Sequence, residues 1–285
     1  MQSLAQSGGT LGGTGALTIA APSSWLAGTQ TGSGTTRYQS DLSLTGAGNK
    51  LLSLGRTVEL NGTTTWGGNT AANNNALQFA GATLINKGTF NDQNAFASLI
   101  DHVSGTNAFN NIGTYNKQAN TVTSVVAIYN NTGTTNVNAG TMLFQGTSTT
   151  SSRGVFNIAA GATLEFRNGS HTLDHPTMQG PGTFAVTTDN VGADAVVTLD
   201  GGTLTSPFLL SGSTITGTDR TFQGSATWTG GAFSGTAATT FANNLTVSGP
   251  NVKVLVGGGT INLEGTTTWA GNTADNNNSI QFTNG

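Results

Sequence analysis

Apolar positions along this chain come in short alternating runs. In Leu164-Glu165-Phe166-Arg167 the apolar residues fall on one side of an extended backbone and the charged ones on the other, the period of two that a β-strand demands. Thr89-Phe90-Asn91, Val254-Leu255-Val256 and Thr260-Ile261-Asn262-Leu263-Glu264 are similarly short and β-branched. Glycine interrupts every candidate helix, and no stretch of a dozen residues carries a helical stripe. The pattern predicts an all-β chain.

The runs recur. Asn86-Lys87-Gly88-Thr89-Phe90-Asn91, Asn111-Ile112-Gly113-Thr114-Tyr115-Asn116, Asn131-Thr132-Gly133-Thr134-Thr135-Asn136, Ser152-Arg153-Gly154-Val155-Phe156-Asn157 and Gly180-Pro181-Gly182-Thr183-Phe184-Ala185 share one form. Their glycines lie 25, 20, 21 and 28 residues apart, and Gly202 follows Gly182 by 20. A second element, Ala139-Gly140-Thr141-Met142-Leu143-Phe144, returns as Ala160-Gly161-Ala162-Thr163-Leu164-Glu165-Phe166. Two or three short strands joined by Gly or Asn turns, repeating about every 20 residues, fit a parallel β-solenoid in which each coil stacks on the last. Gly88, Gly113, Gly133, Gly154, Gly182 and Gly202 are then scaffold glycines at corresponding turns, and Phe90, Tyr115, Phe156 and Phe184 are expected to form one buried column. At about 4.8 Å per coil the chain makes about 14 coils, a rod of about 65 to 70 Å. A β-sandwich explains the alternation but not nested periods.

A longer period encloses the short one. Thr57 to Phe79, TVELNGTTTWGGNTAANNNALQF, returns at Thr260 to Phe282 as TINLEGTTTWAGNTADNNNSIQF, with sixteen of twenty-three positions identical at an offset of 203. Upstream, Trp25 matches Trp228, Leu42 matches Leu245 and Lys50 matches Lys253 at the same offset. Residues 1–82 thus match residues 204–285, and the whole of 1–285 reads as a single continuous solenoid segment. Neither end resembles a polar cap, so the expected partners are further copies of itself, in the same longer chain or end to end in a filament.

Composition narrows the functional classes. The chain has 42 Gly, 9 Lys and Arg against 12 Asp and Glu, a net charge of -3 and 35% hydrophobic residues. Its basic residues form no run, which excludes the electrostatic footprint of nucleic-acid binding and disfavours anionic membrane surfaces. No apolar run approaches the roughly 20 residues of a membrane-spanning helix, so no membrane insertion is expected. The chain has no Cys, and so neither a disulfide framework nor a thiol metal site.

The strings Gly133 to Phe144, Val155 to Phe166 and Gly169-Ser170-His171-Thr172-Leu173 resemble the repeat regions of very large bacterial surface proteins, the autotransporter-like and filamentous-haemagglutinin-like adhesins. The resemblance is clearest over residues 81–206. It implies a right-handed parallel β-helix exported to the bacterial cell surface or beyond it, serving as stalk, adhesin or matrix fibre.

Few residues suggest chemistry. His171, Asp174 and His175 are the densest reactive cluster, but in extended chain the three cannot all share a face, so neither a metal nor a catalytic role is expected. Asp174 lies eight residues before Gly182 and Asp194 eight before Gly202, a placement that coil stacking would turn into paired carboxylates about 5 Å apart, as in a retaining glycosidase. Trp25, Trp66, Trp228 and Trp269 are candidate glycan platforms or else core, and each copy spaces its pair by 41 residues. Thr-x-Thr in Thr63 to Thr65, Thr203 to Thr205 and Thr214 to Thr216 is the motif of flat ice-binding faces, here irregularly spaced. No phosphate loop or Gly-x-Ser-x-Gly elbow occurs, and no cofactor is expected. The reading is a non-catalytic structural segment of a large secreted or surface-attached bacterial fibre or adhesin. A module binding host or matrix glycans is the alternative, and a polysaccharide-cleaving enzyme comes third.

Overall fold

The computed structural model describes residues 1–145, 150–189, 194–271 and 278–283. Every regular element among the described residues is a strand, and the strands stack in parallel as a β-solenoid of about 12 turns with roughly 22 residues per turn. The coils are wider, and so fewer, than the glycine spacing suggests. Strand length changes little from coil to coil, while the turns absorb the rest: Leu204 lies opposite Phe222, 18 residues on, whereas Thr65 lies opposite Asn91, 26 residues on.

The chain divides into two compact units, Met1–Met142 and Leu143–Gly285. In the first, each complete coil contributes one strand to each of three faces. Thr63–Trp66, Leu77–Ala80 and Thr83–Asn86 make one such coil, and Thr89–Asp92, Ser98–Ser104 and Ala108–Asn111 make the next. The third-face strands form a six-stranded sheet running from Ala16–Ile19 to Tyr129–Asn131. Burial alternates along the strands as the sequence pattern requires, with Phe90, Phe109, Tyr115 and Tyr129 fully inside. Because coils stack in register, like falls on like: Phe90 stacks on Tyr115 with centroids 5.2 Å apart, and Phe109 meets Tyr129 at 5.3 Å. Each buried ring contributes about 2 to 3 kcal/mol of transfer free energy, with roughly another 1 from a well-placed ring pair.

In the second unit the same scheme uses its own third face, a seven-stranded sheet from Thr150–Ser152 to Ile280–Thr283. Its aromatic stack runs from Phe166 through Phe184 and Phe208 to Phe222 and Phe241, with successive centroids 4.0 to 5.9 Å apart.

Here one sequence expectation is corrected. Gly154 precedes the first-face strand Val155–Ile158, but Gly182 precedes the second-face strand Thr183–Thr187. The first-face neighbour of Val155 is Thr177, whose own neighbour is Thr203, so the turns at Gly154, Pro176 and Gly202 correspond and Gly182 belongs to another column. The 28-residue spacing thus reflects a change of face. Phe184 accordingly stands apart from Phe90, Tyr115 and Phe156, and Thr135 follows Tyr115 in their register. The Gly-Thr-aromatic signature serves two faces because both begin a strand after a tight turn and place the third residue inward.

Gly88, Gly113 and Gly133 stand at the corner just before the successive first-face strands Thr89–Asp92, Thr114–Lys117 and Thr134–Val137. A Cβ on Gly88 would sit 2.1 Å from the Gly62 carbonyl oxygen, one on Gly113 2.1 Å from that of Gly88, and one on Gly133 2.1 Å from that of Gly113. Backbone rests on backbone at this corner, leaving no space for a side chain.

Candidate functional site

The most elaborate polar constructions in the molecule are buried. Lys50 and Lys253, the equivalent pair across the long repeat, are both 0% exposed. The Lys50 ammonium donates to the carbonyl oxygens of Thr45 at 2.9 Å and Gly48 at 2.8 Å and to the side-chain oxygen of Asn75. Lys253 donates to the Gly249 carbonyl at 2.9 Å and to Asn278 Oδ1 at 2.5 Å. Burial pushes the Lys50 amine down to about 8 and lowers Lys253 as well.

Each lysine serves a tryptophan–asparagine clasp. Trp66 Nε1 donates to the Asn75 carbonyl at 2.8 Å, and Trp269 Nε1 donates to that of Asn278 at 2.9 Å. Asn75 Nδ2 reaches the carbonyls of Leu44 and Gly67 at 3.4 and 2.9 Å, while Asn278 Nδ2 reaches those of Val247 and Ala270 at 3.5 and 2.7 Å. Asn75 also takes a left-handed backbone, φ 60 to 70° being tolerable for asparagine and closing the wide turn after Trp66. Lys50, Trp66 and Asn75 and their counterparts Lys253, Trp269 and Asn278 therefore build one clasp twice.

In the first copy the clasp extends into the next coil. Asn75 Nδ2 donates to Asn94 Oδ1 at 3.1 Å, and Asn94 donates through its Nδ2 and its backbone N to Asp92 Oδ1 at 3.0 and 3.2 Å. The other carboxylate oxygen of Asp92 accepts from Tyr115 Oη at 3.1 Å and Thr123 Oγ1 at 2.5 Å. A buried cation and a buried anion are thus joined by amides instead of direct contact, which satisfies both without a close ion pair. Lys117, also fully buried, donates to the Ala119 carbonyl and to Thr121 Oγ1; desolvation lowers its pKa, with Asp92 opposing.

Two asparagine ladders flank these groups. Inward, Asn86 Nδ2 donates to Asn111 Oδ1 at 2.7 Å and Asn111 Nδ2 to Asn131 Oδ1 at 2.8 Å. Outward, Asn136 Nδ2 donates to Asn116 Oδ1 at 2.7 Å and Asn116 Nδ2 to Asn91 Oδ1 at 2.8 Å. Beside the outward ladder, Thr63, Thr89, Thr114 and Thr134 share one register column. This first-face surface is a strip of hydroxyls and carboxamides at strand spacing, about 4.8 Å per coil.

Of the candidate platforms, Trp25, Trp66 and Trp228 are 0 to 1% exposed. Their rings offer no face to solvent, so they are core, and the indole N–H groups are turned to backbone carbonyls. Trp269 alone is open, at 58%. The paired-acid expectation is corrected: the register neighbour of Asp174 is Asp200, while Asp194 pairs with Asn168 and accepts from Thr188 Oγ1 at 2.5 Å. Asp174 is held below its ordinary pKa by a hydrogen bond from His175 and by Arg153. His171 turns inward, 3% exposed, with its ring 5.0 Å from that of Phe166, so the three members of that cluster do not converge. Among the described residues no group of three or more His, Cys, Asp or Glu is placed to hold a metal ion.

The buried lysines and Asp92 escape sequence reasoning because such residues are almost always solvated. A signal was present: Lys50, Trp66 and Asn75 all recur at the 203-residue offset in a chain with few charges. No family model, no curated protein and no solved structure matches the chain.

Proposed function

We propose that the chain is a non-catalytic structural segment of a large secreted or surface-attached bacterial fibre or adhesin, as its sequence resemblance suggests. The observation that carries this reading is where its polar chemistry is directed. Amide ladders, ring stacks and the Lys50 to Asp92 chain all run from coil to coil, so they bind each coil to its neighbours, adding to the parallel backbone pairing. Pulling coils apart must break these together with the strand pairing, which resists extension. The outward strip of Thr and Asn stays hydrated without charge and repeats at coil spacing, which favours many weak contacts over one strong site. That strip also supports the second reading, a module for neutral glycans.

Single-molecule extension between chain termini tests the structural role. Coils of roughly 22 residues should yield in steps of about 75 Å at high force. One cooperative collapse at low force would overturn the reading, and saturable, sugar-specific binding on a glycan array would favour the second.

A further inference from the structure

The clasp at Lys50 holds together two groups that can react with one another once water is kept away. Lys50 opens the strand Lys50–Ser53, in register with Leu77 of the next coil, and Asn75 lies two residues before that partner. Both side chains are fully buried. The Lys50 ammonium rests against Asn75 Oδ1, so the carboxamide carbon is one bond beyond the contact. Lys253 and Asn278 repeat the contact at 2.5 Å, again 25 residues apart along the chain.

A lysine attacks only as the neutral amine. Burial draws Lys50 down to about 8, which leaves about a tenth of it unprotonated even at pH 7. A desolvated lysine of this kind is a nucleophile, and holding it beside its target replaces a collision with a fixed geometry. The atom that must leave is equally well placed. Asn75 Nδ2 is ringed by acceptors, the carbonyls of Gly67 at 2.9 Å and Leu44 at 3.4 Å and Asn94 Oδ1 at 3.1 Å. Positive charge that develops on Nδ2 as it takes up a proton is therefore met by oxygens already in position. Behind Asn94 stands the Asp92 carboxylate, which adds negative potential on the same side. Cyclisation, in which the following backbone nitrogen attacks an asparagine, is opposed here because Ala76 N donates to Asn49 Oδ1 at 3.1 Å.

We propose that Lys50 and Asn75 join in an intramolecular isopeptide bond, and that Lys253 and Asn278 are a second site of the same kind. The Lys50 Nζ lone pair adds to Asn75 Cγ, a proton passes from Nζ to Nδ2, the Cγ–Nδ2 bond breaks, and ammonia leaves. An amine and a primary amide become a secondary amide and ammonia, with no change of oxidation state. The remaining hydrogen on Nζ stays with one of the two carbonyls that Lys50 already serves, Thr45 or Gly48. Once linked, Lys50 no longer ionises, so its titration belongs to the chain before the bond forms. The bond staples one coil to the next, and under end-to-end pulling the 25 residues from Lys50 to Asn75 stay looped after the strands part. The inference rests on the clasp geometry and is independent of the proposed surface role.

Mass spectrometry of the intact, denatured whole chain tests it. The expected mass is below that of the sequence by one ammonia for each link, and proteolysis should release a branched peptide joining Lys50 to Asn75. Lys50→Arg, which keeps the cation but not the reactive amine, and Asn75→Ala should each abolish the deficit of that link while the β circular dichroism signal is retained. Should a variant fail to fold, the branched peptide from the unaltered chain decides alone. An intact mass equal to that of the sequence would overturn the proposal. So would a deficit that maps elsewhere, as to a cyclised asparagine at Asn61-Gly62 or Asn168-Gly169, or one that persists in folded Lys50→Arg with no branched peptide at Lys50 in the unaltered chain.

Discussion

The two asparagine ladders allow one side chain to be compared with itself in two environments. Asn111→Ala removes a fully buried amide that accepts from Asn86 and donates to Asn131 and to the Thr134 carbonyl at 2.9 Å. Three hydrogen bonds at about 1 kcal/mol each, with the Asn86 amide left only its bond to the Thr114 carbonyl, give a loss of about 3 to 5 kcal/mol. Asn116→Ala deletes the same atoms five residues along the chain, again with ladder partners above and below at 2.8 and 2.7 Å. It is half-exposed, water replaces the lost amide, and the expected cost is about 0.5 kcal/mol. Urea unfolding followed by far-ultraviolet circular dichroism measures both, the difference being read from midpoints at unchanged slope. The double mutant Asn86→Ala/Asn111→Ala should cost less than the two single changes together, since they share a bond. Equal losses at Asn111 and Asn116 would refute the argument, because burial would then not be what gives the inner ladder its weight.

Two further outcomes are expected. Gly113→Ala should cost several kcal/mol of stability, read as a sharply lowered melting midpoint, because its Cβ would meet the Gly88 carbonyl oxygen at 2.1 Å, while Gly81→Ala, with open space but φ of 68°, should cost about 1 to 2 kcal/mol. With pH, Lys50 at about 8 in the fold lies below the roughly 10.4 of an unfolded lysine, so between these values the unfolded chain binds more protons and stability rises with pH. Tyr38, raised to about 12 by burial, and Tyr115 and Tyr129, raised by the same cause, act oppositely above about pH 10, where unfolded phenols ionise first. The urea midpoint should therefore climb from pH 8 toward about 10 and then fall, and Lys50→Met should flatten the climb but not the fall.

The solenoid was legible because its main cause is local: alternation in Thr89-Phe90-Asn91 specifies a strand, and its return after one coil specifies a stack. What could not be read was the face to which each strand belongs. Gly182-Thr183-Phe184 obeys the same local rule as Gly88-Thr89-Phe90, and only the length of the intervening turns assigns them to different sheets. The tryptophans were open between core and platform for a similar reason, since an inward Trp66 and an outward one have the same alternation with Thr64. What settles Trp66 is the coil stacked on it, with Phe90 against its ring, since Trp269 makes the same indole hydrogen bond to an asparagine carbonyl and is 58% exposed. Lys50 was hidden for the opposite reason: general expectation places lysine in water, and nothing adjacent announces the three oxygens gathered around it.

The inner ladder has a genetic consequence. Its rungs are chemically identical, so a rung is defined by having an asparagine below and a glycine turn after it, and not by its position in the gene. Excising residues 112–131 would join Asn111 to Thr132-Gly133-Thr134, leaving Asn111 its donor from Asn86 and setting Thr134 where Thr114 stood, as the carbonyl that accepts from Asn86. Unequal recombination between such similar stretches would then add or delete whole coils without breaking a ladder, whereas a shift of a few residues would turn every downstream rung out of line. The architecture is tolerant of changes in count and intolerant of changes in phase, so its length is free to drift while its cross-section is held constant.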